Sequence, residues 1–148
     1  MKPQAIVLPP QDRPRALNVL GTQITVLADN TRTQAHEITL QEGPEGSGPP
    51  PHLHPWPESF YVLRGEVGFH CAGQDVTAGP GTLVHVPAGT VHAFRYGAGG
   101  GAMLEIAGAG AAATAMFTAL ADELPPGPPD VPSVVNLLGR FRVEVAAL

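Results

Sequence analysis

Two histidines and a glutamate lie close together in one proline-rich segment, "PPPHLHPWPESFYVLRG", residues 49–65. His52 and His54 are two positions apart, and in an extended segment such side chains point to the same side. Glu58 follows four residues after His54, beyond prolines that bend the chain. Either this is a polar turn that happens to carry imidazoles, or it is part of a metal site. Two imidazoles and a carboxylate leave coordination positions open, as a reactive divalent metal site requires.

A fourth ligand is expected from a neighbouring strand. The segment "GTLVHVPAGTVHAFRY", residues 81–96, supplies His92, which follows a "PAG" turn that would return the chain to the first loop. The other three histidines, His36, His70 and His85, stand alone, and we expect them to be packed or solvated.

Three histidines and one carboxylate suit one divalent transition metal ion, Fe(II), Mn(II), Ni(II), Co(II) or Zn(II). Such an ion can bind a substrate together with dioxygen, or polarise a carbonyl group. Glu58 is then the candidate catalytic residue, because a carboxylate that loosens from the metal can take a proton from a bound enol or hydroxyl.

The elements that position these residues are predicted to be short strands. The chain has 18 glycines and 17 prolines between short apolar runs, and 43% of its residues are hydrophobic. Turns at intervals of roughly ten residues are typical of a sandwich or barrel. The segment "SFYVLRGEVGFHCAG" predicts two strands in a tight hairpin at residues 64–66, and "GAGGGA", residues 97–102, predicts another hairpin turn. In "TQAHEITLQE" the residues alternate as in a strand, with His36, Ile38 and Leu40 on one face and Glu37, Thr39 and Gln41 on the other.

Two short helices are predicted after residue 110. In "AAATAMFTALADEL" one helical stripe carries Met116, Phe117, Leu120 and Leu124. Ser133 is predicted to cap the second helix, "VVNLL", which Gly139 would end.

A set of apolar side chains is predicted to surround the candidate metal site. If Glu58 and His92 face inward, the two-residue period of a strand also turns inward Phe60, Val62, Phe94 and Tyr96. These four side chains either bind the substrate or are simply core. The first interpretation predicts a largely apolar substrate, aromatic or enolic, with an oxygen that binds the metal.

The two segments resemble the motifs of the cupin superfamily. "GSGPPPHLHPWPESFYVLRG" resembles the first motif, G-x5-H-x-H-x3-E-x6-G, with every spacing kept. "GTLVHVPAGTVHAFRY" resembles the second motif, G-x5-P-x-G-x2-H-x3-N, except that Tyr96 replaces the final Asn. The resemblance spans residues 46–96 and implies that the metal ligands are His52, His54, Glu58 and His92.

The resemblance implies a mainly β fold, a cupin double-stranded β-helix or jelly-roll barrel with two short C-terminal helices. It implies a single domain over residues 1–148, with a barrel core at about 17–107 and a helical tail at about 111–148. The chain is similar to small quercetinase-like cupins, which implies a metal-dependent dioxygenase acting on a flavonol-like or other enolic or aromatic small molecule. The alternatives are a non-oxidative cyclase or isomerase with the same site, and a cupin that binds a small molecule without turnover. A homodimer is expected from the resemblance alone.

Charge and composition restrict the partners. The formal net charge of −5 and the absence of any Lys/Arg cluster argue against nucleic acid as a partner. Residues 106–121 form an apolar run that is too short and too rich in Ala and Gly to span a membrane. Cys71 is the only cysteine, so no intramolecular disulfide can form, and we expect a cytoplasmic protein.

Overall fold

The computed structural model describes residues 2–146, and most of its regular structure is β-strand. Its elements, in chain order, are β1 (Leu17–Val19), β2 (Thr22–Ala28), α1 (Asn30–Thr33), β3 (Glu37–Gly43), β4 (His52–Leu53), β5 (Glu58–Arg64), β6 (Val67–Cys71), β7 (Gln74–Ala78), β8 (Leu83–Val86), β9 (His92–Tyr96), β10 (Gly101–Ala107), α2 (Ala113–Glu123), α3 (Val131–Arg140) and β11 (Glu144–Val145). No helix among the described residues is long and apolar enough to cross a membrane.

The strands form two antiparallel sheets. The order is β1-β2-β3-β10-β5-β8 in the six-stranded sheet and β11-β4-β9-β6-β7 in the five-stranded sheet. Neighbours within a sheet are mostly distant in sequence, as in a jelly roll whose chain passes repeatedly from one sheet to the other. The predicted mainly β jelly-roll fold with short C-terminal helices is therefore confirmed.

The predicted hairpin at residues 64–66 is wrong. β5 pairs with β8 and β10, whereas β6 pairs with β7 and β9, so the chain changes sheet between them. The change occurs at Gly65, whose φ is +76° and where a Cβ atom would lie 2.2 Å from the backbone oxygen of Gly100. Only glycine tolerates both conditions. The "GAGGGA" segment likewise leads from β9 in one sheet to β10 in the other, and is not a hairpin.

Apolar side chains from both sheets fill the closed part of the barrel. This barrel core consists of Phe60, Val62, Val67, Phe69, Ala78, Val86, Phe94, Tyr96 and Met103. Its rings meet at tilted or edge-to-face angles, with centroids 5.4–5.8 Å apart. Each fully buried Val, Phe or Met side chain of this core contributes about 1.5–3 kcal/mol through the hydrophobic effect.

Tyr96, which stands in place of the motif asparagine, joins the two sheets. Its hydroxyl donates a hydrogen bond to the backbone oxygen of Gln41 on β3, at 3.2 Å. Its ring lies where side chains at Gly43 and Gly101 would have to be, since Cβ atoms there would come within 2.6 Å and 3.0 Å of ring carbons. Tyr96 is thus a structural part of the barrel core.

The C-terminal helices cover a second apolar cluster at the other end of the barrel. This helix-side core includes Trp56, Met116, Phe117, Leu120, Leu137 and Leu138. The buried carboxylate of Glu37 on β3 accepts hydrogen bonds from the amide and hydroxyl of Thr114, so the barrel itself caps the start of α2.

Two details of the tail differ from prediction. Asp130, not Ser133, caps α3: its side chain accepts a hydrogen bond from the amide of Ser133 at 3.1 Å, and Gly139 lies within the helix. The tail is also not entirely helical, because β11 pairs with β4. The predicted limits of the domain, residues 1 and 148, lie outside the described residues.

Candidate metal centre

The structure brings together the four residues that the sequence predicts as metal ligands. One ligand atom from each of His52, His54, Glu58 and His92 lies within 4.8 Å of all the others. β4 pairs with β9 so that His52 lies opposite His92, and Glu58 is the first residue of β5. The amide of Gly89 donates to the backbone oxygen of His54 at 2.8 Å, which ties the "PAG" turn to the first loop.

Each of the three histidines is oriented by the backbone. Their Nδ1 atoms each lie 2.8 Å from a backbone carbonyl oxygen, so that Nδ1 carries the proton and donates it. The acceptors are the carbonyl oxygens of Pro50, Trp56 and Thr90. Because Nδ1 is engaged with the backbone, Nε2 is the nitrogen whose lone pair would ligate a metal ion in place of a proton.

Two of these Nε2 atoms converge on the same carboxylate oxygen. Glu58 Oε1 lies 2.6 Å from Nε2 of His92 and 3.2 Å from Nε2 of His54. Burial acts to raise the pKa of Glu58, but its hydrogen bonds with the two imidazoles outweigh burial and lower that pKa to about 2. Burial and the neighbouring His92 lower the pKa of His52 to about 4. Burial acts to lower the pKa of His92, but the interaction with the Glu58 carboxylate outweighs burial and raises that pKa.

This donor set fits one divalent transition metal ion. Three neutral nitrogen donors and one carboxylate are the ligand types that such ions accept, and four protein ligands leave further positions open on a six-coordinate ion. Glu58 and His92 are almost completely buried, and a cation would compensate the buried carboxylate. The donor set does not distinguish among the candidate metals.

A protein-family model matches the part of the chain that carries the candidate ligands. The family model described as a cupin domain matches residues 39–104, a segment that contains all four candidate ligands. By this match, the segment of residues 39–104 is a cupin domain.

The proteins to which this chain is similar include a dioxygenase and a cyclase. Over 59 residues the chain is 39% identical to quercetin 2,3-dioxygenase of Bacillus subtilis (strain 168), a match that covers 39% of this chain and 18% of that protein. The structure of KdgF from Halomonas sp. has a TM-score of 0.67 at 15% identity, over 75% of this chain and 99% of that one. The polyketide cyclase RemF from Streptomyces resistomycificus has a TM-score of 0.60 at 24% identity, over 71% and 80%. These two structures establish similarity of fold alone.

A cavity adjoins the candidate metal site of this cupin. The volume of this cavity is about 100 Å³. One water needs about 10–15 Å³ on the same measure, so the cavity has room for several waters or one small ligand. The cavity extends from His52, His54 and Glu58 to the C-terminal helices, whose apolar side chains line it. Those side chains are Met116, Phe117 and Leu120 of α2 and Val134 and Leu138 of α3.

The structure separates the four predicted substrate-binding residues into two pairs. All four are buried, but Phe60 and Phe94 line the cavity, whereas Val62 and Tyr96 lie in the barrel core away from it. A role in substrate binding for Phe60 and Phe94 stays a prediction. The two-residue period of a strand predicted that all four side chains point into the barrel. It could not predict how far the cavity extends into the barrel, and therefore which of the four line it.

Sequence reasoning missed two polar residues of the cavity wall. Glu105 and Gln41 lie on the inward faces of β10 and β3, and both line the cavity. Burial and the neighbouring Glu58 carboxylate raise the pKa of Glu105 well above its usual range. The signal in the sequence is a glutamate within the apolar run "GAMLEIA", flanked by residues that suit a buried strand.

The other histidines lie away from the site, as expected. His36 is exposed. His70 Nδ1 lies 2.7 Å from Asp75 on the outside of the five-stranded sheet, and His85 Nδ1 lies 2.8 Å from the hydroxyl of Ser59 on the outside of the six-stranded sheet.

Proposed function

We propose that this cupin is a metal-dependent dioxygenase that acts on a flavonol-like or other enolic aromatic small molecule. The observation that carries the proposal is the convergence of three imidazoles and one carboxylate at the end of a small, largely apolar cavity. The partial match to quercetin 2,3-dioxygenase supports the oxidative reaction, although it spans 18% of that protein's length.

When bound, a divalent transition metal ion would supply Lewis acidity and, if redox-active, electron exchange with dioxygen. The residues of the chain would hold the metal ion, accept a proton from the substrate and exclude water. The imidazoles are held by their Nδ1 hydrogen bonds and need not reorient to act as ligands. Both short contacts of Glu58 use Oε1, and Oε2 is the oxygen that would take the proton of a bound enol. Phe60, Phe94 and the helices would exclude bulk water from the reacting substrate.

Oxygen uptake tests this proposal. The protein is loaded in separate samples with Fe(II), Mn(II), Co(II), Ni(II) or Zn(II), and dioxygen consumption is measured with quercetin and with 3-hydroxyflavone. We expect uptake and loss of the flavonol absorbance with at least one redox-active metal, and neither with His92→Ala. Substrate turnover without dioxygen consumption would contradict the oxidative assignment.

A non-oxidative cyclase or isomerase is the second candidate, because the same ligands can hold a metal ion that only polarises a carbonyl group. The fold similarity to the polyketide cyclase RemF is compatible with it. Turnover of an enolic polyketide under nitrogen would favour this candidate. Saturable binding without any turnover would favour a binding protein.

We also propose a homodimer formed through the outside of the six-stranded sheet. Large apolar side chains are exposed on this outer apolar face, namely Tyr61, Leu63, Leu83 and Ile106, which are 39–63% exposed. Exposed apolar patches of this kind mark protein interfaces.

A further inference from the structure

Glu105 is a buried carboxyl group that shares a hydrogen bond with Glu58, one of the candidate metal ligands. It lies on β10 between Met103 and Ala107, which also face inward, and only 4% of its surface is exposed. It is not one of the four clustered ligand residues. Within residues 2–146, no Lys, Arg or His forms an ion pair with it. Burial of a carboxyl group without a cation is costly, so stability alone does not account for a glutamate at this position.

Two side chains of β3 hold Glu105 in one orientation. Gln41 Nε2 donates to one carboxyl oxygen of Glu105 at 2.9 Å, and Thr39 Oγ1 donates to the other at 3.3 Å. Gln41 Nε2 also lies 3.4 Å from Thr39 Oγ1, so that the three side chains form one connected cluster. A carboxyl group has about four lone-pair sites. Gln41 and Thr39 occupy two of them and the hydrogen bond with Glu58 occupies a third, which leaves one site able to accept a further hydrogen bond.

The position of Glu105 is beside the candidate metal ligands. On paired strands β5 and β10, Glu105 lies opposite Phe60 and Glu58 lies opposite Ala107, so the two glutamates are diagonal neighbours on the same inward face. Glu105 and Gln41 line the same cavity as His52 and His54. A ligand atom next to one that binds the metal would therefore lie within reach of Glu105.

We propose that Glu105, positioned by Gln41 and Thr39, determines the specificity of the cavity by accepting a hydrogen bond from a hydroxyl group adjacent to the metal-binding oxygens of the ligand. This inference rests on the proposed metal-dependent function and narrows its substrate class. The preferred ligand is a small aromatic or enolic molecule with three neighbouring oxygens, two for the metal and one that carries a hydrogen for Glu105. A molecule with only the two chelating oxygens would bind less tightly.

Three small phenols separate these contributions. Catechol has two neighbouring hydroxyls, pyrogallol adds a third beside them, and 3-methoxycatechol has the third oxygen without its hydrogen. Their dissociation constants are measured by titration calorimetry under nitrogen with the Zn(II)-loaded protein, so that oxidation plays no part. For the wild type we expect the dissociation constant of pyrogallol to be lower than those of catechol and 3-methoxycatechol by about tenfold or more. A difference of this size is expected for one hydrogen bond to a buried carboxyl group.

Substitution of Glu105 tests its role directly. In Glu105→Leu and in Glu105→Ala we expect pyrogallol and catechol to bind with equal affinity, because the acceptor for the third hydroxyl is gone. The metal content of each variant is measured in parallel. The control is Glu42→Ala, which removes an exposed carboxylate from β3 and should keep the preference for pyrogallol. The alanine variant guards against poor folding of the leucine variant.

The outcomes are distinguishable. A wild type without preference for pyrogallol, or a preference retained after loss of Glu105, would overturn the proposed role of this residue. Elemental analysis before any phenol is added would reveal a protein that binds no metal, and that result would overturn the proposed function as well.

Discussion

In the five-stranded sheet, apolar side chains such as Val67, Phe69 and Tyr96 point into the barrel, and polar ones such as His70 and Arg95 point outward. In the six-stranded sheet, β3 has the opposite arrangement. Its buried residues are Glu37, Thr39 and Gln41, and its outward residues are Ile38 and Leu40. The outer apolar face continues this pattern across β5, β8 and β10.

This difference indicates that the two sheets contribute differently to stability and to the candidate site. Apart from Val76 and Val145, which are 49% and 40% exposed, the five-stranded sheet follows the usual rule that apolar residues are buried. Away from its inward-facing histidines it contributes mainly packing. In the six-stranded sheet, polar groups that are costly to bury face the cavity and the start of α2, each with hydrogen-bond partners that offset the cost. Such placement is expected where function rather than stability determines the residue.

The largest expected effect compares the two faces of the five-stranded sheet. His92→Ala on the inward face of β9 should weaken metal binding by more than about 100-fold, because even the loss of a hydrogen bond to a ligand costs about 10- to 100-fold. His70→Ala on the outward side of β6 should leave metal affinity unchanged. Competition with a chelating dye measures both affinities, and equal losses in the two variants would contradict the assignment of His92.

A smaller effect compares the two faces of β5. Val62 is completely buried in the barrel core, and Leu63 beside it is 44% exposed. We expect Val62→Ala to lower the free energy of unfolding by about 2 kcal/mol, since it removes buried methyl groups and leaves a cavity. Leu63→Ala should lower it by less than about 1 kcal/mol. Urea denaturation measures both changes. A change in the metal content of Val62→Ala would show that the barrel core and the metal site are not independent.

The smallest expected effect concerns the outer faces of the two sheets. Leu83 is the most exposed large side chain of the outer apolar face, at 63%. Leu83→Glu should raise the dissociation constant of the proposed homodimer by about tenfold or more, because it places a charge in an apolar interface. Thr77→Glu, on the outside of the five-stranded sheet, is the matched control and should have no effect. Light scattering over a range of concentrations decides, and a monomeric wild type would exclude the dimer.

Local spacing predicted much of the candidate site. His52, His54 and Glu58 lie within seven residues, so a short loop suffices to bring them together. The position of His92 beside them depends on the pairing of β4 with β9, a long-range contact that the sequence indicated through the resemblance rather than through periodicity. The jelly-roll fold was predicted for the same reason.

The features that the sequence did not predict depend on which of the two sheets each strand joins. Local sequence patterns do not encode this choice. Glycines at residues 65 and 97–101 predicted turns, but a turn signal does not indicate whether the next strand pairs with the previous one or joins the opposite sheet. The alternation in β3 predicted a strand, yet the rule that apolar residues face inward would assign its faces the wrong way round. Glu105 escaped notice because its two partners are more than 60 residues away in the chain.

The backbone carbonyls that hold the imidazoles have a consequence for engineering. Each acceptor lies two residues from its histidine, so ring orientation is a property of chain length within the loop, and exchanging nearby side chains leaves it intact. Attempts to retune metal preference should therefore vary Glu58, the one donor without such an anchor. Insertion or deletion of a single residue between 50 and 56 would instead rotate the rings away from their common centre.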